Sequence, residues 1–337
     1  MRIILACDKS GGHIFPARCI ARFIKSGDIF FFVPSVYFKN LLEKEGFTVY
    51  GRGLNFRNVI LEGVFRMFEA FILIIKVRPH KVIGFGGRDT FFIVFLSRLF
   101  LIETVIYEPN VVMGKANRFL SLFVDKVYKG MPYVSDKRFR YIGVPVRDDL
   151  TKYDKENAKR KLGLDIALPV IMCFGGSQGS GFLNSFFKRF IESSALEFSV
   201  IHITGFKQYS DFVEFYGKIN RKALVYDFFK DIGILYSATD IVVCRGGALS
   251  TAEVVFYRIP AVIVPYPGAG SHQYANVRYL EEKKACYVVD QKNFSFDKVK
   301  GFIERLLDNK EERLRIRDNL RKLDICVSCK EFYKNFI

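Results

Sequence analysis

The chain has 337 residues, of which half are hydrophobic, a formal net charge of +17 and no tryptophan. This hydrophobic fraction supports a large buried core and excludes disorder as the general state, and the length suits two domains. The positive charge favours a polyanionic partner: nucleic acid, an anionic membrane surface or a phosphate-rich substrate.

Neither the N-terminus nor any apolar stretch is typical of a signal peptide or a membrane span. The apolar run after Arg2 ends at Asp8 and Lys9, and charges interrupt the stretches AFILII and FFIVFLSRLFLI well before the roughly 18 residues that a span requires. The seven scattered cysteines are typical of thiols in a reducing cytosol. Cys326 and Cys329 are interpreted as two thiols on a terminal helix, rather than as half of a zinc site.

In chain order, short apolar segments alternate with amphipathic ones, and this rhythm occurs twice. The strand candidates are RIILAC, IFFFVP, KVIGFG, ETVIYE and DKVYK, followed by PVIMCFGG, SVIHITG, ALVYDFF, DIVVCRGG and PAVIVPYP. Helix-like stretches between them predict parallel sheets with right-handed crossovers. Proline and charged residues around 145–160 predict a domain boundary. We therefore expect an α/β fold class with two Rossmann-like, doubly wound domains that face a cleft.

Four glycine-rich turns follow predicted strands and precede helix-like stretches. They are SGGH (10–13), GFGGRD (84–89), CFGGSQGS (173–180) and CRGGALSTAE (244–253). Glycine lets the backbone approach an anion, and the helix N-terminus beyond it offers unpaired N–H groups. None of the turns matches the dinucleotide fingerprint G-x-G-x-x-G or a Walker loop, which argues against hydride transfer and nucleoside triphosphate hydrolysis. The turns predict phosphate or diphosphate binding, above all in the second half.

Seven segments occur in an order and spacing that one family shares: SGGHIFPA, GFGGRDTFF, YEPNVVMGKANR, GVPVR, GGSQGS, CRGGALSTAE and HQYANVRYLE. They resemble the MurG family of bacterial N-acetylglucosaminyltransferases. The resemblance implies a GT-B fold with an acceptor domain over residues 1–147, a donor domain over residues 148–322 and a last helix, about 323–337, packed on the first domain. It also implies inverting transfer of N-acetylglucosamine from UDP-N-acetylglucosamine to the 4-hydroxyl of undecaprenyl-diphosphoryl-N-acetylmuramoyl-pentapeptide (lipid I), giving lipid II for peptidoglycan synthesis.

The resemblance further implies a donor site mainly in the second domain. Ser177 and Gln178 would lie beside the diphosphate, and Glu253 would accept both ribose hydroxyl protons. By residue type alone, Ser177 also fits an N-cap, and Glu253 fits a residue that complements a helix dipole. The implied donor-binding residues are Ser10, Gly11, Gly12, Asn110, Arg147, Ser177, Gln178, Phe229, Ala248, Leu249, Glu253, Gln273 and Asn276.

His13 is the candidate catalytic residue. The acceptor hydroxyl must lose its proton as it attacks the sugar, and a histidine that titrates near neutrality suits a general base or an acceptor-positioning group. A capping or packing histidine is the alternative, and Asp89 and Glu108 are alternative bases. No ligand spacing surrounds His13, so we expect no metal there; no tightly bound cofactor is expected, and dependence on a divalent cation stays open. The implied contacts of the acceptor diphosphate are Gly12, Gly86 and Gly87.

The chain departs from the family pattern at three places. Asp8 and Lys9 replace two glycines, and Arg88 and Asp89 replace a tyrosine and a small residue. His272 replaces the first of two glutamines. These changes bear more on the acceptor loops than on the donor site.

Residues 57–81, RNVILEGVFRMFEAFILIIKVRPHK, combine apolar positions with cations. This pattern predicts an amphipathic helix that docks on an anionic leaflet, with a core helix as the alternative. The resemblance implies peripheral attachment to the cytoplasmic face of the bacterial inner membrane, and it brings cell-wall synthesis and division proteins into consideration as partners. The predicted membrane patch is Val64, Phe65, Met67 and Phe68 with Arg57, Arg66 and Lys76.

Three other functions compete with this reading. A UDP-N-acetylglucosamine epimerase would act on the donor alone, and a transferase to diacylglycerol would differ only in its acceptor. A basic nucleic-acid-binding protein would explain the charge but would leave the four glycine turns without a role, and no nucleic-acid motif is present. We therefore expect no nucleic-acid partner.

Overall fold

The chain folds as two α/β units. The computed structural model describes residues 1–54, 58–132, 138–147, 150–176, 179–268 and 272–336, apart from the side chains of Ser26 and Val59. One unit comprises Met1–Arg147 and Val327–Ile337, and the other comprises Asp148–Cys326. Each is built on one parallel sheet, which confirms the predicted fold class of two parallel-sheet α/β domains.

The first unit contains a seven-stranded sheet in the order β3-β2-β1-β4-β5-β6-β7, and all its pairs are parallel. The chain moves outward from β1 to β3 and then returns to β4 on the other side of β1. The carboxyl ends of β1 and β4 therefore flank the point where the strand order reverses, here called the switch point, which is where such sheets bind ligands. The strands are β1 (Ile3–Ala6), β2 (Ile29–Phe32), β3 (Thr48–Tyr50), β4 (Lys81–Gly84), β5 (Glu103–Glu108), β6 (Lys126–Lys129) and β7 (Phe139–Tyr141).

Helices cover both faces of this sheet, since successive strand residues point to opposite sides. Ile3 and Leu5 pack in a core with α1, α2 and α14, whereas Ile4 and Ala6 pack in a second core with α3 and α4. No described helix is long and apolar enough to cross a membrane. The helices are α1 (Gly11–Ala21), α2 (Val36–Lys44), α3 (Val59–Val77), α4 (Phe91–Leu99), α5 (Lys115–Leu120) and α14 (Cys329–Lys334), with a 3₁₀ turn at Ser26–Asp28.

The C-terminal segment is tied to the first unit by packing and by a disulfide. The Phe332 ring meets Tyr107 edge-on at 4.9 Å, and Cys329 is bonded to Cys19 of α1. The prediction that Cys329 is a thiol is therefore wrong. So is the placement of Cys326 on a helix, because it begins a strand. That strand, β15 (Cys326–Ser328), forms a two-stranded sheet with β8 (Val144–Val146).

The second unit repeats the topology, with the strand order β11-β10-β9-β12-β13-β14 and parallel pairing throughout. Its order reverses between β9 and β12. The strands are β9 (Val170–Phe174), β10 (Ser199–Ile203), β11 (Ala223–Tyr226), β12 (Ile241–Cys244), β13 (Ala261–Ile263) and β14 (Tyr287–Val288). The helices are α6 (Lys155–Lys161), α7 (Gly181–Ser193), α8 (Tyr209–Gly217), α9 (Ile232–Ala238), α10 (Ala248–Tyr257), α11 (His272–Glu282), α12 (Phe296–Asp308) and α13 (Lys310–Arg321).

Candidate active site at the two switch points

His13 lies at the switch point of the first unit, in the first turn of α1 after strand β1. Its Nδ1 is 3.1 Å from Ser10 Oγ, and its backbone N–H donates to Ser10 O. Burial lowers the pKa of His13, and the nearby carboxylates of Asp8 and Glu108 oppose this shift. The ring is therefore neutral at pH 7 and able to accept a proton.

Glu108 organises the turn after β5. It is buried, and its carboxylate accepts hydrogen bonds from Asn110 Nδ2 at 2.8 Å, Gly114 N at 3.1 Å and Asn117 Nδ2 at 3.0 Å. The Lys129 ammonium donates to Asn110 O, and burial lowers its pKa to about 8. Glu108 thus fixes Asn110 and is less suited than His13 to accept a substrate proton. Among the described residues, no group of three or more histidine, cysteine or acidic side chains is arranged to hold a metal ion.

The turn Gly86–Gly87 after β4 lies against the sequence departures. A Cβ atom on Gly87 would collide with the Asp8 carboxylate, and φ of this residue is +95°, so the position requires glycine. Asp8 also interacts with Asp89, whose pKa burial and Asp8 together raise to about 6, against the opposing cations Lys9 and Arg66. The residues that replace the family's small ones therefore form one charged cluster around this turn.

The corresponding turn of the second unit leads into α7. Gly175 packs so closely on Ser180 that a Cβ atom would collide with its backbone N, and Ser180 Oγ accepts from Leu183 N as the N-cap. Helix α7 thus begins directly after a glycine backbone that no side chain covers, the arrangement that binds phosphate groups. Ser177 and Gln178, predicted to contact the diphosphate, lie outside the described residues.

Arg245, the residue after β12, braces this turn and was missed by the sequence reasoning. Its side chain is buried and donates to Ser180 Oγ at 2.8 Å, Val264 O at 2.9 Å and Gln291 Oε1 at 2.6 Å. One guanidinium therefore connects the start of α7 with the segments after β13 and β14. An arginine directly after a buried strand and before two glycines was the available signal.

The predicted sugar-reading residues gather around the turn after β12. Gln273 Oε1 accepts from Gly246 N at 3.1 Å, and the buried Asn276 donates to Gly246 O at 3.2 Å. Both side chains thus hold the turn that precedes α10. Glu253, on α10, accepts a hydrogen bond from Tyr236 OH at 2.8 Å.

The remaining predicted residues are distributed between the units. Ala248 and Leu249 form the first turn of α10, and the Phe229 ring packs on Tyr226 at 4.5 Å. Arg147 belongs to the first unit, where its guanidinium lies 4.8 Å from the Phe15 ring. Gly11 and Gly12 start α1 beside Ser10 and His13.

Helix α3 buries charge and exposes apolar surface. Glu62 and Arg66 are buried, and Arg66 is only 1% exposed, so its predicted place on the membrane patch is wrong. Arg57 lies outside the described residues. Phe65, Phe68 and Lys76 border a pocket of about 300 Å³ between α3 and strands β2 and β3. The exposed apolar residues of α3, here called the α3 surface, are Ile60, Leu61, Val64, Met67, Phe68, Phe71, Ile72 and Ile75.

Comparisons with known proteins agree with this layout. The glycosyltransferase family 28 N-terminal domain matches residues 3–129 and its C-terminal domain matches residues 170–325. A UDP-N-acetylglucosamine--N-acetylmuramyl-(pentapeptide) pyrophosphoryl-undecaprenol N-acetylglucosamine transferase of Thermoanaerobacter sp. (strain X514) is 30% identical over 99% of this chain and 98% of its own. The enzyme of the same name from Coxiella burnetii (strain Dugway 5J108-111) is 26% identical, over 98% and 99%.

Solved structures share the fold. MurG of Acinetobacter baumannii superposes with a TM-score of 0.79 at 21% identity, covering 99% of both chains. The spinosyn forosaminyltransferase SpnP gives 0.71 at 13% identity, over 100% of this chain and 98% of its own. The full-length identity to the Thermoanaerobacter relative, together with both family 28 domains, identifies the chain as a member of the MurG family of glycosyltransferases.

Proposed function

We propose that this chain transfers N-acetylglucosamine from UDP-N-acetylglucosamine to the 4-hydroxyl of undecaprenyl-diphosphoryl-N-acetylmuramoyl-pentapeptide, converting lipid I to lipid II. The observation that carries the proposal is the identity of 30% along 99% of the chain to a transferase of that name. The chemistry of the two switch points supports it, because one presents a neutral histidine and the other a helix N-terminus behind bare backbone.

In this reaction His13 acts as the general base. Ser10 Oγ orients the ring through Nδ1, which leaves Nε2 to take the proton of the acceptor hydroxyl. The acceptor oxygen forms a bond to the anomeric carbon, while the bond from that carbon to the diphosphate oxygen breaks on the opposite face. The electron pair leaves with UDP, so the configuration at the anomeric carbon inverts.

The second unit supplies the donor site. The N-terminus of α7 and the glycine turn held by Arg245 face the diphosphate of UDP, where negative charge increases as the bond breaks. Glu253 accepts from the ribose hydroxyls, and Gln273 and Asn276 keep the turn after β12 in place near the sugar. Ser177, Gln178 and Phe229 complete the diphosphate and uracil contacts.

Attachment to the membrane is the third part of the proposal. The α3 surface exposes eight apolar side chains, and exposed patches of this kind mark membrane or protein interaction sites. Lys76 lies at its edge, and the net charge of +17 favours an anionic leaflet. The chain thereby reaches its lipid-linked acceptor at the cytoplasmic face of the bacterial inner membrane without spanning it.

The test is an assay of the purified chain with radiolabelled UDP-N-acetylglucosamine and a short-chain lipid I analogue. The expected result is one labelled disaccharide product that depends on both substrates. Sugar epimerised by the chain with donor alone would instead indicate an epimerase. Equal transfer to a diacylglycerol would contradict the proposed acceptor.

A further inference from the structure

The face of α3 opposite its apolar surface contacts the residues that follow the turn after β4 through two charged side chains. Glu62 and Arg66 are one helical turn apart, and they meet Arg88 and Asp89 in the same order. Arg88 Nη2 is 2.6 Å from Glu62 Oε2, and Arg66 Nε is 3.8 Å from Asp89 Oδ1. Each of these two charged residues of the helix thus faces a residue of opposite charge: the anion Glu62 faces Arg88, and the cation Arg66 faces Asp89.

Three of the four residues in these contacts are buried. Glu62, Arg66 and Asp89 are each no more than 5% exposed. Arg66 is fixed from a second direction, because its Nη1 donates to Glu69 Oε2 at 2.6 Å and to Arg52 O at 2.8 Å. Asp89 is therefore a buried charge with an opposite charge of α3 beside it, whereas Arg88 reaches Glu62 with a side chain that is 59% exposed.

The turn that these contacts hold directly precedes Arg88. Thr90 Oγ1 donates to Gly87 O at 3.0 Å, and Asp8 packs against Gly87. Arg88 and Asp89 are two of the positions where the chain departs from the family pattern. These two charged residues therefore have oppositely charged partners on α3.

We propose that Glu62 and Arg66 are positioning residues for the acceptor: through Arg88 and Asp89 they hold the Gly86–Gly87 turn against the helix that carries the membrane-facing surface. The inference rests on the proposed function, because it takes this turn as the site of the acceptor diphosphate. It explains why α3 buries two charges under an apolar outer face. The same helix then contacts the membrane and sets the geometry of the turn that receives the lipid's head.

A binding experiment without donor tests this, with farnesyl diphosphate as the probe and calorimetry as the readout. Glu62→Gln is the decisive variant, because the two explanations predict opposite signs. If the local charge alone mattered, removing an anion would tighten the binding of a diphosphate. If Glu62 positions the turn, binding weakens by about tenfold, the size of a typical coupling between contacting residues.

Two further variants complete the set. Arg88→Lys keeps the ion pair and is expected to bind like the wild type. The matched control is Glu45→Gln, which removes another carboxylate of the first unit from an ion pair with an arginine, Arg18, and leaves binding unchanged. Unchanged or tighter binding by Glu62→Gln, or no binding of the probe by the wild type, overturns the inference.

Should Glu62→Gln fail to fold, hydrogen exchange in Arg88→Gln decides, since Arg88 is 59% exposed and its loss leaves the core intact. The amides of residues 86–90 are expected to exchange faster than in the wild type, and unchanged exchange overturns the inference. A wild type that binds the probe but forms no product would contradict the proposed function alone. Normal turnover with a Glu62→Gln variant that binds as well as the wild type would contradict only the positioning role.

Discussion

At the switch point of the second unit, one buried arginine holds the glycine turn through neutral acceptors, whereas acidic and basic side chains surround the turn of the first unit. Arg245 donates to a hydroxyl, a backbone carbonyl and an amide oxygen. Around Gly86–Gly87, in contrast, Asp8 and Asp89 face Lys9 and Arg66. The two sites share a topology and differ in how their charge is balanced.

This difference matches the ligands that we propose. A nucleotide diphosphate brings its full charge from solution, and a rigid positive turn suits it. A lipid-linked diphosphate is delivered at a surface, where the apolar tail supplies much of the binding free energy. We therefore expect the first unit to bind free diphosphate more weakly than the second, and the following variants test how far the two sites are independent.

The largest effect is expected at His13. His13→Ala removes the proposed base, so turnover should fall by roughly 10²- to 10⁴-fold, the usual contribution of general base catalysis. Because this residue lies in the first unit, the Kd of UDP measured by calorimetry should stay within about twofold. His80→Ala, at an exposed position of the same unit, is the control and should retain full turnover. Unchanged turnover in His13→Ala would assign the base to another residue.

Arg245→Met should weaken the second unit selectively. It leaves several buried oxygen atoms without a donor, at a cost of about 1–3 kcal/mol for each that finds no water. We expect about 3 kcal/mol less stability for that unit and a rise of at least about tenfold in the Kd of UDP. Scanning calorimetry and titration measure these effects, and Arg221→Met, at a half-buried arginine of the second unit, controls for the loss of charge. An equal loss of donor binding in both variants would contradict the role of Arg245 in holding the glycine turn before α7.

The sequence located the strands that build both switch points. All ten predicted strands are present, and most of their apolar residues are buried; β11 is the exception, with four half-buried residues. The prediction omitted β3, β7, β8, β14 and β15, which have only two or three residues each and so give little periodicity to detect. Four glycine turns were correctly placed at strand ends, since glycine after a buried strand is a local signal.

The features that the sequence did not predict depend on residues that are far apart in the chain. Arg66 was predicted to face the membrane because cations beside apolar positions of an amphipathic helix favour docking on an anionic leaflet. Its burial depends on Asp89 and on backbone carbonyls that become neighbours only in the folded unit. The Cys19–Cys329 pair is likewise separated by 310 residues, so no local pattern announces it.

A smaller effect, on membrane binding, is expected at the α3 surface and compares the exposed surfaces of the two units. Phe68→Asp replaces a side chain that is 61% exposed, and burial of a phenylalanine contributes about 1.5–3 kcal/mol. Binding to vesicles that contain phosphatidylglycerol should therefore weaken by about tenfold or more, as measured by cosedimentation. Phe206→Asp is the matched control, since this residue is 65% exposed in the second unit. Equal losses in the two variants would show that the net charge, not the α3 surface, drives binding.

The smallest effect is a pH dependence confined to the first unit. Burial and Asp8 raise the pKa of Asp89 to about 6, from 3.8. A carboxyl group whose pKa is higher in the folded state contributes stability that is fully present below its unfolded pKa and is lost as the pH rises through 6. The melting temperature of the first unit should therefore fall by a few degrees between pH 5 and pH 7 relative to Asp89→Asn, which cannot ionise. Glu45→Gln, which removes a partly exposed carboxylate of the same unit, should follow the wild-type profile. A difference that is the same at both pH values would indicate that Asp89 does not titrate in this range, and the cations Lys9 and Arg66 would then outweigh its burial.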